Sequence, residues 1–101
     1  MNSDVQLFFK LCSDHLSIEA IPKVKLSIDL TKLKEGLDDF DVMIWTPHFM
    51  MMRRVSGEEV TLRRDGRMIV RNSESQEAAE AAAVRVLSLV SSIRAEERER
   101  S

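Results

Sequence analysis

Residues 59–77 read Glu-Val-Thr-Leu-Arg-Arg-Asp-Gly-Arg-Met-Ile-Val-Arg-Asn-Ser-Glu-Ser-Gln-Glu, and this stretch decides the fold. Asp65 and Gly66 stand between two strand-like runs, and both residue types tolerate the positive φ that a tight hairpin turn requires. We therefore predict a hairpin of strands 59–64 and 67–72. A two-residue turn would set three cross-strand pairs, which are Arg64 with Arg67, Leu62 with Ile69, and Arg63 with Met68.

A long helix is predicted directly after the hairpin. Ser73 and Gln76 can form a capping box, in which each side chain satisfies a free backbone amide at the helix start. Apolar and small residues then recur at spacings of three and four, which places them on one helix face. They are Ala79, Ala82, Ala83, Val86, Leu89, Val90 and Ile93. The charged tail, residues 95–101, is expected to fray.

The residues before the hairpin predict four more elements. An N-terminal helix is predicted within residues 1–20, because apolar side chains between residues 4 and 17 share one helical face. Residues 23–30 alternate apolar and polar side chains, as a strand with one buried face does. A short helix is predicted over 31–39, and two further strands over 42–46 and 49–55.

These elements predict one α+β domain over residues 1–101. We expect an antiparallel sheet of about four to five strands, with the helices packed on one face and an extra helix at the N-terminus. The other sheet face would be exposed, covered by a partner, or paired across a dimer.

The hairpin and helix also carry a family resemblance. Residues 66–70 followed by residues 73–79 resemble one half-repeat of the TATA-box-binding protein family, in which a Gly-Lys-Met-Val-Val strand leads through a short acidic link into the long helix. In this resemblance Val24–Leu30 matches the opening strand, and Phe40 resembles one of two Phe residues that wedge between DNA bases. Arg63 stands at the position of the second wedging Phe. The resemblance implies a half-repeat order of elements and a saddle made by two copies of the chain.

Composition narrows the classes of function. The net charge of −2 and the charged fraction of 32% are ordinary for a globular protein and unlike a protein that coats nucleic acid. No apolar run approaches the roughly 18 residues of a membrane span, and the first residues lack a secretory pattern. The only cysteine, Cys12, fits a reducing compartment, so we expect a cytoplasmic protein with no membrane contact.

Arginines concentrate in the middle of the chain. Residues 43–72 contain six arginines against three acidic residues. Guanidinium groups on an open sheet can hold phosphates, so a nucleic-acid site is a hypothesis for Arg53, Arg54, Arg63, Arg67 and Arg71. The alternative, which we favour, is that these arginines are solvated or pair with nearby acids, because the hairpin lacks aromatic residues for base stacking.

The segment from Trp45 to Met52 is the second candidate site. It contains the only tryptophan, Phe49 and three consecutive methionines, and both aromatic and methionine side chains are enriched at binding surfaces. Strand alternation cannot bury three consecutive methionines on one face, so at least one must point away from the helices. We hold a protein interface and a core packing role as open alternatives for Trp45, Phe49, Met50, Met51 and Met52.

Metal binding and catalysis have little support in the sequence. Cys12 and His15 lie three residues apart, but zinc sites have denser Cys and His spacing, so no metal or cofactor is predicted. Asp38, Asp39 and Asp41 are typical of turns. No glycine-rich phosphate loop or nucleophile motif is present, and we expect the protein not to be an enzyme.

We therefore expect a small interaction module that binds through its sheet or its Met-rich strand. It would self-associate as a homodimer or bind another protein partner. Nucleic-acid binding by the arginines on the open sheet face is the alternative.

Overall fold

A computed structural model of the chain describes residues 6–11, 17–24, 26–33 and 40–100, with side chains as far as residue 90 except that of Lys32. It contains the following elements in order: β1 Leu7–Leu11, β2 Ser17–Pro22, α1 Leu30–Leu33, β3 Phe40–Trp45, β4 Phe49–Arg54, β5 Glu59–Arg63, β6 Met68–Arg71 and α2 Gln76–Arg100. The strands form one antiparallel sheet in the order β1-β2-β6-β5-β4-β3. The α+β prediction is confirmed, whereas the predicted strand count of four to five is too low.

The missed strands lie near the N-terminus, where we predicted a helix. β1 pairs with β2 so that Leu7, Phe9 and Leu11 lie opposite Pro22, Ala20 and Ile18. The helix prediction for residues 1–20 is therefore wrong over Leu7–Leu11 and over residues 17–20, which belong to β2. The adjacent Phe8 and Phe9 concealed the alternation of this strand, and pairing with β2 overrides the local helical spacing.

The predicted strand over residues 23–30 is also replaced. Lys23 and Val24 form a bend, residues 26–29 are irregular, and Leu30 begins α1. The alternation still reports burial, because Ile28 and Leu30 are buried while Val24 is half exposed. The Ile28 N–H donates to the Arg64 carbonyl (2.9 Å), so this segment lies against the β5–β6 turn as a packed connection. The half-repeat order of the family resemblance is not confirmed and stays a prediction.

The β5–β6 hairpin has a register that differs from the predicted one by one residue. Leu62 pairs with Met68 and Thr61 with Ile69, and the Arg63 N–H donates to the Arg67 carbonyl (2.8 Å). The turn therefore contains three residues, Arg64-Asp65-Gly66, with Gly66 at a φ of 93°. A three-residue turn with glycine in this conformation is a common alternative to the two-residue turn. It places both Leu62 and Met68 on the buried side.

The long helix begins two residues later than a Ser73 cap would allow. The Ala78 N–H donates to Ser75 Oγ (3.1 Å), which makes Ser75 the N-terminal cap of α2. Gln76 Nε2 donates instead to Glu80 (2.9 Å). The predicted Ser73–Gln76 capping box is therefore wrong, although the helix itself is confirmed. Its helical range continues to Arg100 and includes most of the tail for which we predicted fraying.

The sheet has two chemically distinct faces. The covered face packs against α1 and α2, and its fully buried side chains include Met50, Met52, Val60, Leu62, Met68 and Val70. From α2, the buried residues that join this core are Ala79, Ala82, Ala83, Val86, Leu87 and Val90. Small alanines at the helix start allow the helix axis to approach the sheet closely. The opposite side, which we call the open face, carries the alternate residues of each strand.

Candidate interaction surface on the open sheet face

Four strands present a row of alternating charges on the open face. The register places Asp41 beside Arg53, Arg53 beside Glu59, and Glu59 beside Arg71. We call Asp41, Arg53, Glu59 and Arg71 the charge ladder. Arg53 Nη2 lies 2.9 Å from Glu59 Oε1, an ion pair between neighbouring strands. The signs along the ladder run negative, positive, negative, positive from β3 to β6.

An apolar row runs beside the charge ladder along the same four strands. Ile44, Met51, Thr61 and Ile69 lie side by side across β3, β4, β5 and β6. Ile44 is 44% exposed at the sheet edge, and the other three are partly exposed. Phe8 on β1 adds a further aromatic ring to this face, with 55% of its surface exposed. In the described part of the chain, no helix lies over this row.

A third row combines an aromatic ring with two arginines. Phe49 pairs with Arg63 on β5, and Arg63 lies beside Arg67 on β6. A hollow of about 560 Å³ opens here, lined by His48, Phe49, Thr61, Arg63, Arg64 and Asp65. This end of the face is therefore cationic and aromatic together.

The arginines of the open face already have acidic neighbours. Besides the Arg53–Glu59 pair, Arg63 lies 3.0 Å from Asp65 and Arg67 lies 3.9 Å from Glu19. These carboxylates compete with any external phosphate for the guanidinium groups. Arg53, Arg63 and Arg67 thus each lie within 4 Å of a carboxylate oxygen.

The structure divides the five arginines of the nucleic-acid hypothesis. Arg53, Arg63, Arg67 and Arg71 share the open face, but Arg54 pairs with Phe40 and lies on the covered side. Its guanidinium carbon is 6.0 Å from the centre of the Phe40 ring, which is buried. Strand alternation explains the split, because Arg53 and Arg54 are consecutive residues.

The Met-rich segment is divided in the same way. Met50 and Met52 are fully buried on the covered face, and Phe49 and Met51 lie on the open face. Trp45 pairs with Met50 on the covered side, where its indole N–H donates to the Leu30 carbonyl (3.1 Å). The expectation that at least one methionine points away from the helices is confirmed by Met51. Met50 and Met52 belong to the core.

The sequence did not identify several residues of the open face as site residues. They are Phe8, Asp41, Ile44, Glu59, Thr61 and Ile69. The correct hairpin register is the signal that would have found Glu59, Thr61 and Ile69, since requiring both Leu62 and Met68 to be buried fixes all three on the other face. Ile44 also depends on an irregularity between Val42 and Ile44, which shifts the register of β3 against β4.

Other kinds of site have little support. Within the described ranges, no group of three or more His, Cys, Asp or Glu side chains is placed to hold a metal ion. Cys12, His15, Asp38 and Asp39 lie outside those ranges, and His48 is exposed at the hollow beside Phe49. Neither described helix combines the length and the apolar character that crossing a membrane requires.

Comparisons with protein-family models, with curated proteins and with solved structures found no match to this chain. Inference about function therefore depends on the chemistry of the open face.

Proposed function

We propose that this protein is a small interaction module without enzymatic activity, and that it self-associates through the open face of its sheet. The observation that carries the proposal is the apolar row of Ile44, Met51, Thr61 and Ile69, which no described helix covers. Burial of apolar area of this kind is the main source of free energy in protein association. A homodimer is the simplest assembly that would remove the row from water.

The charges beside the row support a protein partner over a polyanion. Lys10, Arg53, Arg63, Arg67 and Arg71 share this side of the sheet with Glu19, Asp41, Glu59 and Asp65, which leaves the surface with about one excess positive charge at neutral pH. Nucleic-acid sites are usually much more basic. A mixed charge rim around an apolar centre is the usual composition of a protein interface.

Sedimentation velocity over a wide concentration series tests the proposal. We expect the sedimentation coefficient of the unmodified protein to rise with concentration. Ile69→Glu should remove this rise, because it places a charge in the middle of the apolar row. Val84→Glu is the matched control, since Val84 is 52% exposed on α2 away from the open face. A strict monomer at the highest soluble concentration would overturn the proposal.

A second candidate is nucleic-acid binding by Arg53, Arg63, Arg67 and Arg71. The observation in its favour is that these four arginines share one open face. It predicts binding that weakens steeply as salt increases, because neutralised phosphates release counterions.

A titration with mixed DNA and RNA at low salt tests this candidate. Replacing Arg63 and Arg67 by Ala should weaken binding and reduce its salt dependence. Arg54→Ala is the matched control, because Arg54 lies on the covered side and should leave binding unchanged. The absence of any binding at low salt would exclude the candidate.

A further inference from the structure

We propose that two copies of this chain meet face to face about a two-fold axis that runs parallel to the strands and passes between β4 and β5. This inference rests on the proposed self-association and adds the orientation of the partner. The axis places β3 of one copy against β6 of the other, and β4 against β5. Two aligned sheets packed in this way match the common sheet-on-sheet arrangement, with strand directions within about 30°.

The charge ladder is complementary to itself under this axis. Reversing a ladder of four alternating charges places each charge opposite one of the other sign. Asp41 of one copy would face Arg71 of the second copy, and Arg53 would face Glu59. The symmetry repeats both contacts, so four opposite-charge contacts form and no like charges meet within the ladder.

The apolar row is also complementary under the same axis. Ile44 would face Ile69 of the second copy, and Met51 would face Thr61. No charged side chain meets this row, so the centre of the interface contains the apolar area. Met51 suits such a position because its flexible thioether adapts to the opposing surface.

The third row gives a further favourable contact. Phe49 on β4 would face Arg63 on β5 of the second copy, which brings a guanidinium group onto an aromatic ring. The alternative two-fold axis, perpendicular to the strands, would instead place this row against the charge ladder. Arg67 would then face Arg71 of the second copy, which is unfavourable.

The size of the surface predicts a weak dimer. Four strands spaced about 4.8 Å apart, with five residues rising about 3.3 Å each, cover roughly 320 Å² in projection. A standard interface buries about 800 Å² per partner. We therefore expect reversible association that depends on concentration.

Site-specific cross-linking tests the orientation. In a Cys12→Ser background, Ile44→Cys and Ile69→Cys variants would be mixed, treated with a bifunctional thiol reagent that spans the roughly 10 Å between packed sheets, and analysed by mass spectrometry. We expect a link between positions 44 and 69 in the mixture. When each variant is treated alone, we expect no 44–44 link and no 69–69 link, because identical positions of the two copies would lie three strands apart laterally, about 14 Å. If the unmodified protein dimerises but the Ile44→Cys variant gives 44–44 links, the proposed orientation is wrong and self-association still holds.

Charge variants provide a second measurement that retains Cys12. One variant carries Asp41→Lys and Glu59→Lys, and the other carries Arg53→Glu and Arg71→Glu. Each alone should self-associate at least about tenfold more weakly, and an equal mixture should recover the dimer. Stronger self-association of the variant that carries Arg53→Glu and Arg71→Glu would contradict the orientation, since it is the result for the perpendicular axis, where the new acid at position 71 faces Arg67 and the one at position 53 faces Phe49. A strictly monomeric unmodified protein would overturn both the orientation and the proposed function.

Discussion

The two faces of β4 show how one strand serves two environments. Met50 and Met52 are fully buried beneath the helices, whereas Met51, between them, lies on the open face beside Thr61. The three residues have the same side chain and differ only in direction. Their roles are therefore set by the alternation of the strand and by which face the helices cover.

This difference separates stability from association in the molecule. The covered face contains a continuous core shared by the sheet and α2, and its residues hold the fold together. The open face contains a short apolar row between charged rows, and its residues are available for a partner. Substitutions on the two faces should thus affect different measurements.

The largest effect is expected from shortening the buried methionines. Met50→Ala or Met52→Ala should lower the free energy of unfolding by about 2–5 kcal/mol, because each leaves a cavity in a packed core. Met51→Ala should cost about 1 kcal/mol or less in the monomer. Urea denaturation at low protein concentration measures all three. Equal losses for Met50→Ala and Met51→Ala would break the distinction between the faces.

The β4–β5 turn with Gly57 and the β5–β6 turn with Gly66 lie at opposite ends of the sheet and differ in how closely they are packed. Gly66 and Gly57 both have positive φ, 93° and 109°. A Cβ at Gly66 would lie 2.6 Å from Leu26 Cδ1, whereas a Cβ at Gly57 would have Asn72 Nδ2 as its nearest neighbour, at 3.9 Å. Gly57→Ala should cost about 1 kcal/mol through backbone strain, and Gly66→Ala about 1–3 kcal/mol because the Leu26 segment must also shift. Thermal unfolding of both variants compares them, and a Gly57→Ala loss as large as that of Gly66→Ala would contradict the close packing.

The N-terminal cap of α2 should contribute to the stability of the fold, because α2 packs on the covered face. Ser75→Ala should lower the free energy of unfolding by about 1 kcal/mol, because the Ala78 N–H loses its partner. Ser73→Ala is the matched control and should cost much less, since the helix begins at Gln76. The reverse order of the two losses would restore the capping box predicted from sequence.

The smallest effect is expected on the open face of the monomer. A double-mutant cycle on Arg53 and Glu59 should give a coupling of less than about 1 kcal/mol, because half of the Arg53 side chain is exposed and its ion pair is screened by water. The cycle is measured by chemical denaturation at low protein concentration. A coupling of several kcal/mol would show that the open face contributes to folding stability as the core does.

The sequence predicts the elements whose signals are local. Strands β3 to β6 and the long helix were predicted from alternation, turn residues and helical spacing. The structure contains all of them. β1 was missed because Phe8 and Phe9 are consecutive, and only its pairing with β2 reveals the alternation. The hairpin register was missed by one residue because Asp65-Gly66 fits turns of two lengths, and the burial of Leu62 with Met68 decides between them. Among the candidate arginines Arg54 was misplaced, because strand alternation puts the consecutive residues Arg53 and Arg54 on opposite faces.

The most direct test of the central claim uses the adjacent methionines as probes. The ¹³C-methyl NMR signals of Met50, Met51 and Met52 would be assigned by single Met→Leu substitutions and followed as the protein concentration increases. If the open face mediates self-association, the Met51 signal should shift with concentration while those of Met50 and Met52 change little, because these two are fully buried in the core. A Met51 signal that is independent of concentration, in a protein that otherwise self-associates, would contradict the account.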